Sequence, residues 1–131
     1  NALKSFGTNF GMTFQLIDDA IDYSSNKKIL GKNTGDDFKE GKITLPIILA
    51  YGRSNDKEKK FWERTISDLN QNDGDFEMAL EIINKYQCIE DTLTRANHFS
   101  NVAVDSVDIF KDNIYKEKLV SLVSKSVSRI Y

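Results

Sequence analysis

"GMTFQLIDDAIDY", residues 11–23, sets Asp18, Asp19 and Asp22 into a run that otherwise has the spacing of an apolar helix. Leu3, Phe6, Phe10, Phe14, Ile17 and Ile21 recur three or four residues apart. That period predicts one helix over residues 2–23 with a continuous apolar stripe. At about 100° per residue, Lys4, Gly11, Gln15, Asp18 and Asp22 gather on a second face, and Asp19 lies to its side. Carboxylates four residues apart on a helix repel each other, and a carboxylate is costly to bury unless something positive meets it. This face is therefore either solvated surface or the seat of a cation. Gly11, one turn before Gln15, keeps the face low enough for another group to approach.

The periodicity breaks over residues 24–43, "SSNKKILGKNTGDDFKEGKI", where Gly31, Gly35 and Gly41 stand among Ser, Asn and Asp. The stretch reads as a loop, and its length is that of a functional or mobile loop rather than a plain connector. "TLPIILAYG" restarts a helix, with Thr44 as N-cap, Pro46 in the first turn and Gly52 at the end. Further helices are expected over residues 56–70 (Phe61, Trp62, Ile66, Leu69), 75–85 (Phe76, Leu80, Ile83), 88–112 and 116–130, with "NQNDGD" as a turn. No strand pattern and no repeat appear. The expected class is all-α.

Bulk properties narrow the function classes. The chain has 131 residues, 40% hydrophobic and 29% charged, with a single proline, which suits one soluble helical domain. A formal net charge of −2 provides no field to draw nucleic acid or anionic lipid. Cys88 is the only cysteine and cannot close an internal disulfide, which favours a reducing, cytoplasmic setting. There is no signal peptide and no apolar run long enough to span a bilayer. The chain opens at Asn1 and enters a helical pattern at once, so it reads as a piece of a longer polypeptide.

The aspartates have the chemistry for a particular ligand. Mg²⁺ takes six oxygens, dehydrates reluctantly, and is commonly held by one or two carboxylates together with substrate phosphates. Lys32 after Gly31 and Lys42 after Gly41 can reach a phosphate as compact charges. Acidic groups on one side and lysines on the other would bracket a metal-borne anion. Taken alone, such a cluster is most often solvated surface; the joint pattern is what raises it.

"GMTFQLIDDAIDY" followed by "LGKNTGDDFKEGKITLPIILA" resembles the C-terminal half of the trans-isoprenyl diphosphate synthases, and most of all their long-chain, octaprenyl-type polyprenyl branch. The matching stretches span residues 11–50; the tail "LVSLVSKSVSRIY" is similar more weakly. The resemblance implies an all-α bundle around a deep cavity, with two aspartate-rich motifs facing each other across its mouth. Residues 1–131 would be the C-terminal part of that domain. It further implies Mg²⁺ bound by Asp18, Asp19 and Asp22, with Asp18 a direct ligand and the other two ligating or holding metal-bound water. Lys32 matches a lysine on the allylic diphosphate, Lys42 one near the same mouth, and Phe14 and Gln15 match cavity-lining residues. Asp18 and Lys32 would be the catalytic pair. The implied reaction is head-to-tail condensation of isopentenyl diphosphate with an allylic diphosphate, giving a polyprenyl diphosphate of the quinone side-chain kind. A homodimer, or assembly with the missing N-terminal half, is the implied partnership.

The family's first aspartate motif and its isopentenyl diphosphate residues have no counterpart in the chain. It is therefore expected to be inactive alone, and helix 2–23 to leave part of its stripe uncovered. The competing reading is a non-catalytic partner subunit of a heteromeric synthase; the retained Asp18, Asp19, Asp22 and Lys32 speak against it and the absent first motif speaks for it. A terpene cyclase on the same fold fits "GKITLP" less well. Other motifs are weaker. "DLNQNDGDFEMA" has Gly74 one position late and Ala79 where a calcium loop needs glutamate. "LGKN" lacks the earlier glycine and the Ser/Thr of a P-loop. His98 is expected half-buried on its helix, Cys88 as a packing residue, and Trp62 with Phe61 as a bundle anchor.

Overall fold

The computed structural model describes residues 1–24 and 35–129. Among these residues every regular element is helical: α1 (Ala2–Ile21), α2 (Asp36–Glu40), α3 (Leu45–Arg53), α4 (Asp56–Trp62) continued by a π-helical turn (Glu63–Ser67), α5 (Asp75–Lys85), α6 (Cys88–Ser106) and α7 (Ile114–Ser128). The all-α expectation holds. None of these helices is long and apolar enough to cross a membrane. The chain divides into two compact units, Asn1–Asp18 with Leu93–Tyr131, and Asp19–Thr92. The boundary falls within α1.

The first unit is built on α1, α6 and α7. Phe6, Ala103, Val107 and Val123 form its core, with Phe10, Val104, Leu119 and Val120 against it. Small polar groups run beside this core. Ser5 and Ser106 share a hydroxyl hydrogen bond of 2.8 Å. Thr13, fully buried, donates to Asn9 O at 2.9 Å and reaches Ala96 O at 3.3 Å. Its hydroxyl is satisfied by its own helix, so it can sit where a backbone comes close. The buried side of α1 therefore takes in Phe6, Thr13, Leu16 and Ile17, while Leu3 (59%) and Phe14 (45%) remain exposed. The apolar stripe read from the sequence is thus partly uncovered, at those two positions. Asn113 caps α7 by accepting from Lys116 N.

The second unit packs α3, α4 and α5 around Ile47, Ala50, Trp62, Ile66, Ala79, Ile82, Ile83 and Cys88. Trp62 is 2% exposed and its indole N–H donates to Ser54 Oγ at 3.1 Å, which in turn donates to Ala50 O. A buried indole without an acceptor would be costly, so Ser54 is what lets tryptophan serve as the anchor here. Asn55 and Glu58 form a reciprocal capping box at the start of α4. The Glu58 carboxylate also accepts from Tyr86 Oη at 2.6 Å and Lys85 Nζ at 3.0 Å. The Tyr86 hydrogen bond, then the Asn55 amide, hold that carboxyl down at about 2. Arg64 forks onto both Asp75 oxygens at 2.9 and 3.0 Å, and Arg53 joins Asp91 and Tyr86 O.

Several boundaries differ from the sequence reading. Residues 36–40, inside the expected loop, form α2. Gly52 lies within α3, which runs to Arg53; Thr44 is in the N-cap position but its side chain makes no cap hydrogen bond. The helix expected over 88–112 stops at Ser106. His98 is exposed rather than half-buried.

Candidate functional site

The aspartate-rich end of α1 is the candidate site. Asp18 is half-buried; Asp19 is 6% exposed and Asp22 0% exposed. Helix α1 closes at Ile21, so Asp22 and Tyr23 form the turn that leaves it. Gln15 and Phe14 are exposed. The Arg129 guanidinium lies 4.3 Å from the centre of the Phe14 ring, a cation–π contact within the first unit. Lys32 lies outside the described residues.

In the second unit, Asp22 meets the start of α2. Its carboxylate Oδ2 accepts from Asp37 N at 2.9 Å, and its carbonyl accepts from Gly35 N at 3.0 Å. Gly35 has φ +93°, and a Cβ there would lie 3.0 Å from the Phe76 ring. Only glycine combines that backbone with that contact. Gly41, at φ +66°, closes α2, and its N–H donates to Phe38 O. The carbonyl of Phe38 also accepts from Gln71 Nε2 at 2.7 Å; the same nitrogen donates to Thr65 O. Lys42 is exposed; its Nζ stands 3.9 Å from Asp37 Oδ1, and its amide donates to Asp37 O at 2.9 Å.

Tyr23 is 2% exposed, and its ring packs 6.4 Å from that of Phe76. Burial first, then the charges of Asp37, Asp22 and Asp19, push its phenol far above the usual range, so it is protonated at neutral pH. Among the described residues its Oη has no hydrogen-bond partner, nor has the buried Thr44 Oγ1.

Carboxylate oxygens are the donors that hard cations take, so the donor chemistry fits Mg²⁺ or Ca²⁺. The number of donors is short of a cage. Among the described residues no three His, Cys, Asp or Glu side chains come together closely enough to hold an ion. An ion there would depend on oxygens brought by a ligand such as a diphosphate, or by further protein.

Sequence reasoning singled out Asp18, Asp19 and Asp22 because they are adjacent in the chain. It passed over Asp37 and Tyr23. The acidic pair after Gly35 was a signal of a kind, since acidic residues favour a helix start. Nothing in the sequence tied it to Asp22.

Comparison with known proteins bears on what this arrangement belongs to. The Polyprenyl synthetase family model matches residues 1–83. Octaprenyl diphosphate synthase of Haemophilus influenzae is 36% identical over 130 residues, which are 99% of this chain and 39% of that protein. Among solved structures, a polyprenyl synthase from Caulobacter crescentus, complexed with calcium and isoprenyl diphosphate, is similar with a TM-score of 0.88 and 42% identity. That similarity covers 97% of this chain and 39% of the Caulobacter chain. A decaprenyl diphosphate synthase from Rhodobacter capsulatus reaches a TM-score of 0.91 at 35% identity, over 99% of this chain and 40% of the other. The chain thus spans about two-fifths of the length of the relatives it matches. With a family model over more than half its residues, and with the fold of solved synthases along nearly all of its length, the chain belongs to the polyprenyl synthetase family.

Proposed function

We propose that this chain supplies the second aspartate-rich half of a prenyl diphosphate synthase site, which binds the diphosphate of an allylic substrate through Mg²⁺. The supporting observation is the pairing, in one stretch, of Asp18, Asp19 and Asp22 with Lys32 and Lys42, in a chain 42% identical to a synthase solved with calcium and isoprenyl diphosphate. Asp18 is the direct ligand, and Asp19 and Asp22 complete the motif. Bound there, Mg²⁺ would supply Lewis-acid neutralisation of the diphosphate.

The chain's own residues would then do the following. Lys32, acting as a point charge on the departing pyrophosphate, and Lys42, near the same anion, stabilise negative charge as the carbon–oxygen bond breaks. Phe14 and Gln15 border the prenyl chain below the diphosphate, with the Gln15 amide oxygen turned toward the electron-deficient carbon. The double bond of isopentenyl diphosphate attacks that carbon, a proton is lost to pyrophosphate, and the product is one isoprene unit longer. The protein's contribution is positioning and exclusion of water.

Calorimetric titration of the purified chain with pyrophosphate tests the reading. Binding is expected only with Mg²⁺ present and is expected to weaken by about tenfold or more in Asp18→Ala, since a direct ligand is lost. Equal binding without Mg²⁺, or in that variant, overturns it.

A further inference from the structure

We propose that Asp22 is the anchor of residues 35–42, a positioning residue that fixes where Lys42 stands, and not simply a third carboxylate of the motif. The burial of the three aspartates separates their roles. Asp18 is half-buried, whereas Asp22 is wholly buried at the turn that ends α1. An anion-facing ligand gains from access to the anion; a buried carboxylate oxygen that accepts a backbone N–H is already engaged in holding structure.

The engagement is specific. Asp22 takes the amide of Asp37 on Oδ2 and the amide of Gly35 on its own carbonyl, 2.9 and 3.0 Å away. Two donors at the start of α2, which has too few residues to be stable by itself, are satisfied by one residue from the end of α1. The glycine preceding α2 uses no side-chain cap of its own. The Asp22 carboxylate therefore does for α2 what an N-cap side chain ordinarily does, from a distant part of the chain.

The other end of the segment is also tied. Gly41 lies so close to the π-helical turn that a Cβ there would be 2.9 Å from Ile66 O, and Gln71 fastens the Phe38 carbonyl. Lys42 follows immediately, with its amide on Asp37 O and its ammonium facing Asp37 Oδ1. Asp37 is thus the middle link: Asp22 holds its amide, and its carbonyl and carboxylate orient Lys42. What the anchored lysine serves rests on the function proposed above; the anchoring itself does not.

Two measurements on the full chain separate these parts. The first is amide hydrogen exchange at Asp37, followed by NMR. Asp22→Asn keeps an oxygen acceptor and is expected to preserve protection of the Asp37 amide. Asp22→Ala is expected to speed its exchange by about tenfold or more, the effect of losing a local closing contact. Asp18→Ala is expected to leave it unchanged. Fast exchange in Asp22→Asn, unchanged exchange in Asp22→Ala, or equal loss in Asp18→Ala overturns the anchor.

The second is a double-mutant cycle on Mg²⁺-dependent pyrophosphate binding. Lys42→Met is expected to weaken binding about fivefold in the parent but less than about twofold in the Asp22→Ala background, because a mispositioned lysine has less to lose. Additive losses would mean that Asp22 acts independently of Lys42, and overturn the positioning role. Absence of any pyrophosphate binding by the parent would sink the proposed function, while the exchange result would still decide the anchor.

Discussion

Gly41 and Gly7 show how differently two glycines of one chain can be constrained. Gly41 sits at φ +66°, and a Cβ there would fall 2.5 Å from Leu69 Cδ2 and 2.9 Å from the Ile66 carbonyl oxygen. The leucine tip can move, but the carbonyl belongs to the π-helical turn and cannot. Gly41→Ala is expected to cost about 1–3 kcal/mol from the left-handed backbone and the clash together. Gly7 lies inside α1, and a Cβ there would meet nothing within 4 Å. Gly7→Ala is expected to gain about 0.5–1 kcal/mol, the ordinary helix-propensity difference. Urea denaturation of the two variants checks both signs. A Gly41→Ala chain as stable as the parent would mean that α2 is not pressed against the π-helical turn. On α1, Thr13 is fully buried with its hydroxyl satisfied by Asn9 O, while Phe14, the next residue and so about 100° round the helix, is exposed.

At the scale of elements, the start of α4 carries the clearest pH dependence. Asn55 caps the helix and Glu58 returns the bond to the Asn55 amide, while Tyr86 and Lys85 of the neighbouring segment also hold the Glu58 carboxylate. Asn55→Ala is expected to cost about 1 kcal/mol, as N-cap removals do. The Glu58 carboxyl lies at about 2 when folded, against an ordinary 4.5. A depressed carboxyl stabilises the folded state above its unfolded value and loses that contribution as pH falls through the folded one. Glu58→Gln should therefore lower the melting temperature relative to the parent above pH 4.5, and the gap should close as pH falls toward about 2. A gap that is constant with pH would mean that Glu58 acts through packing alone.

How far these elements could be read beforehand depended on their length. α5 was legible to the residue because Phe76, Leu80 and Ile83 mark one face of an eleven-residue helix. α2 was not, because five residues with Phe38 as their single apolar side chain carry no period, and what stabilises them comes from Asp22 and Gln71. The π-helical turn was equally hidden, since the apolar spacing of Phe61, Trp62 and Ile66 looks the same through a one-residue bulge.

For the molecule as a whole, the decisive quantity is the two-fifths of its relatives' length that the chain spans. The aspartate motif was legible because its members lie within five consecutive positions at the end of one helical run. The tie between Asp22 and Asp37 was not, because it closes across a glycine-rich stretch whose path no local pattern dictates. The same distinction governs activity. The resemblance implies another aspartate-rich motif across the cavity mouth, and this sequence holds no counterpart to it, so the proposed site would bind diphosphate without completing the reaction. The purified chain, given farnesyl diphosphate, isopentenyl diphosphate and Mg²⁺, is therefore expected to form no extractable product above blank. Joined in place of the matching part of Haemophilus influenzae octaprenyl diphosphate synthase, to which it is 36% identical, the same chain is expected to restore chain elongation. Asp18→Ala in that hybrid should abolish it. Elongation by the chain alone would show that its own carboxylates and lysines suffice. A properly folded hybrid indifferent to Asp18 would show that the aspartates at the end of α1 are ordinary surface acidity, and the two outcomes fail the argument at different steps.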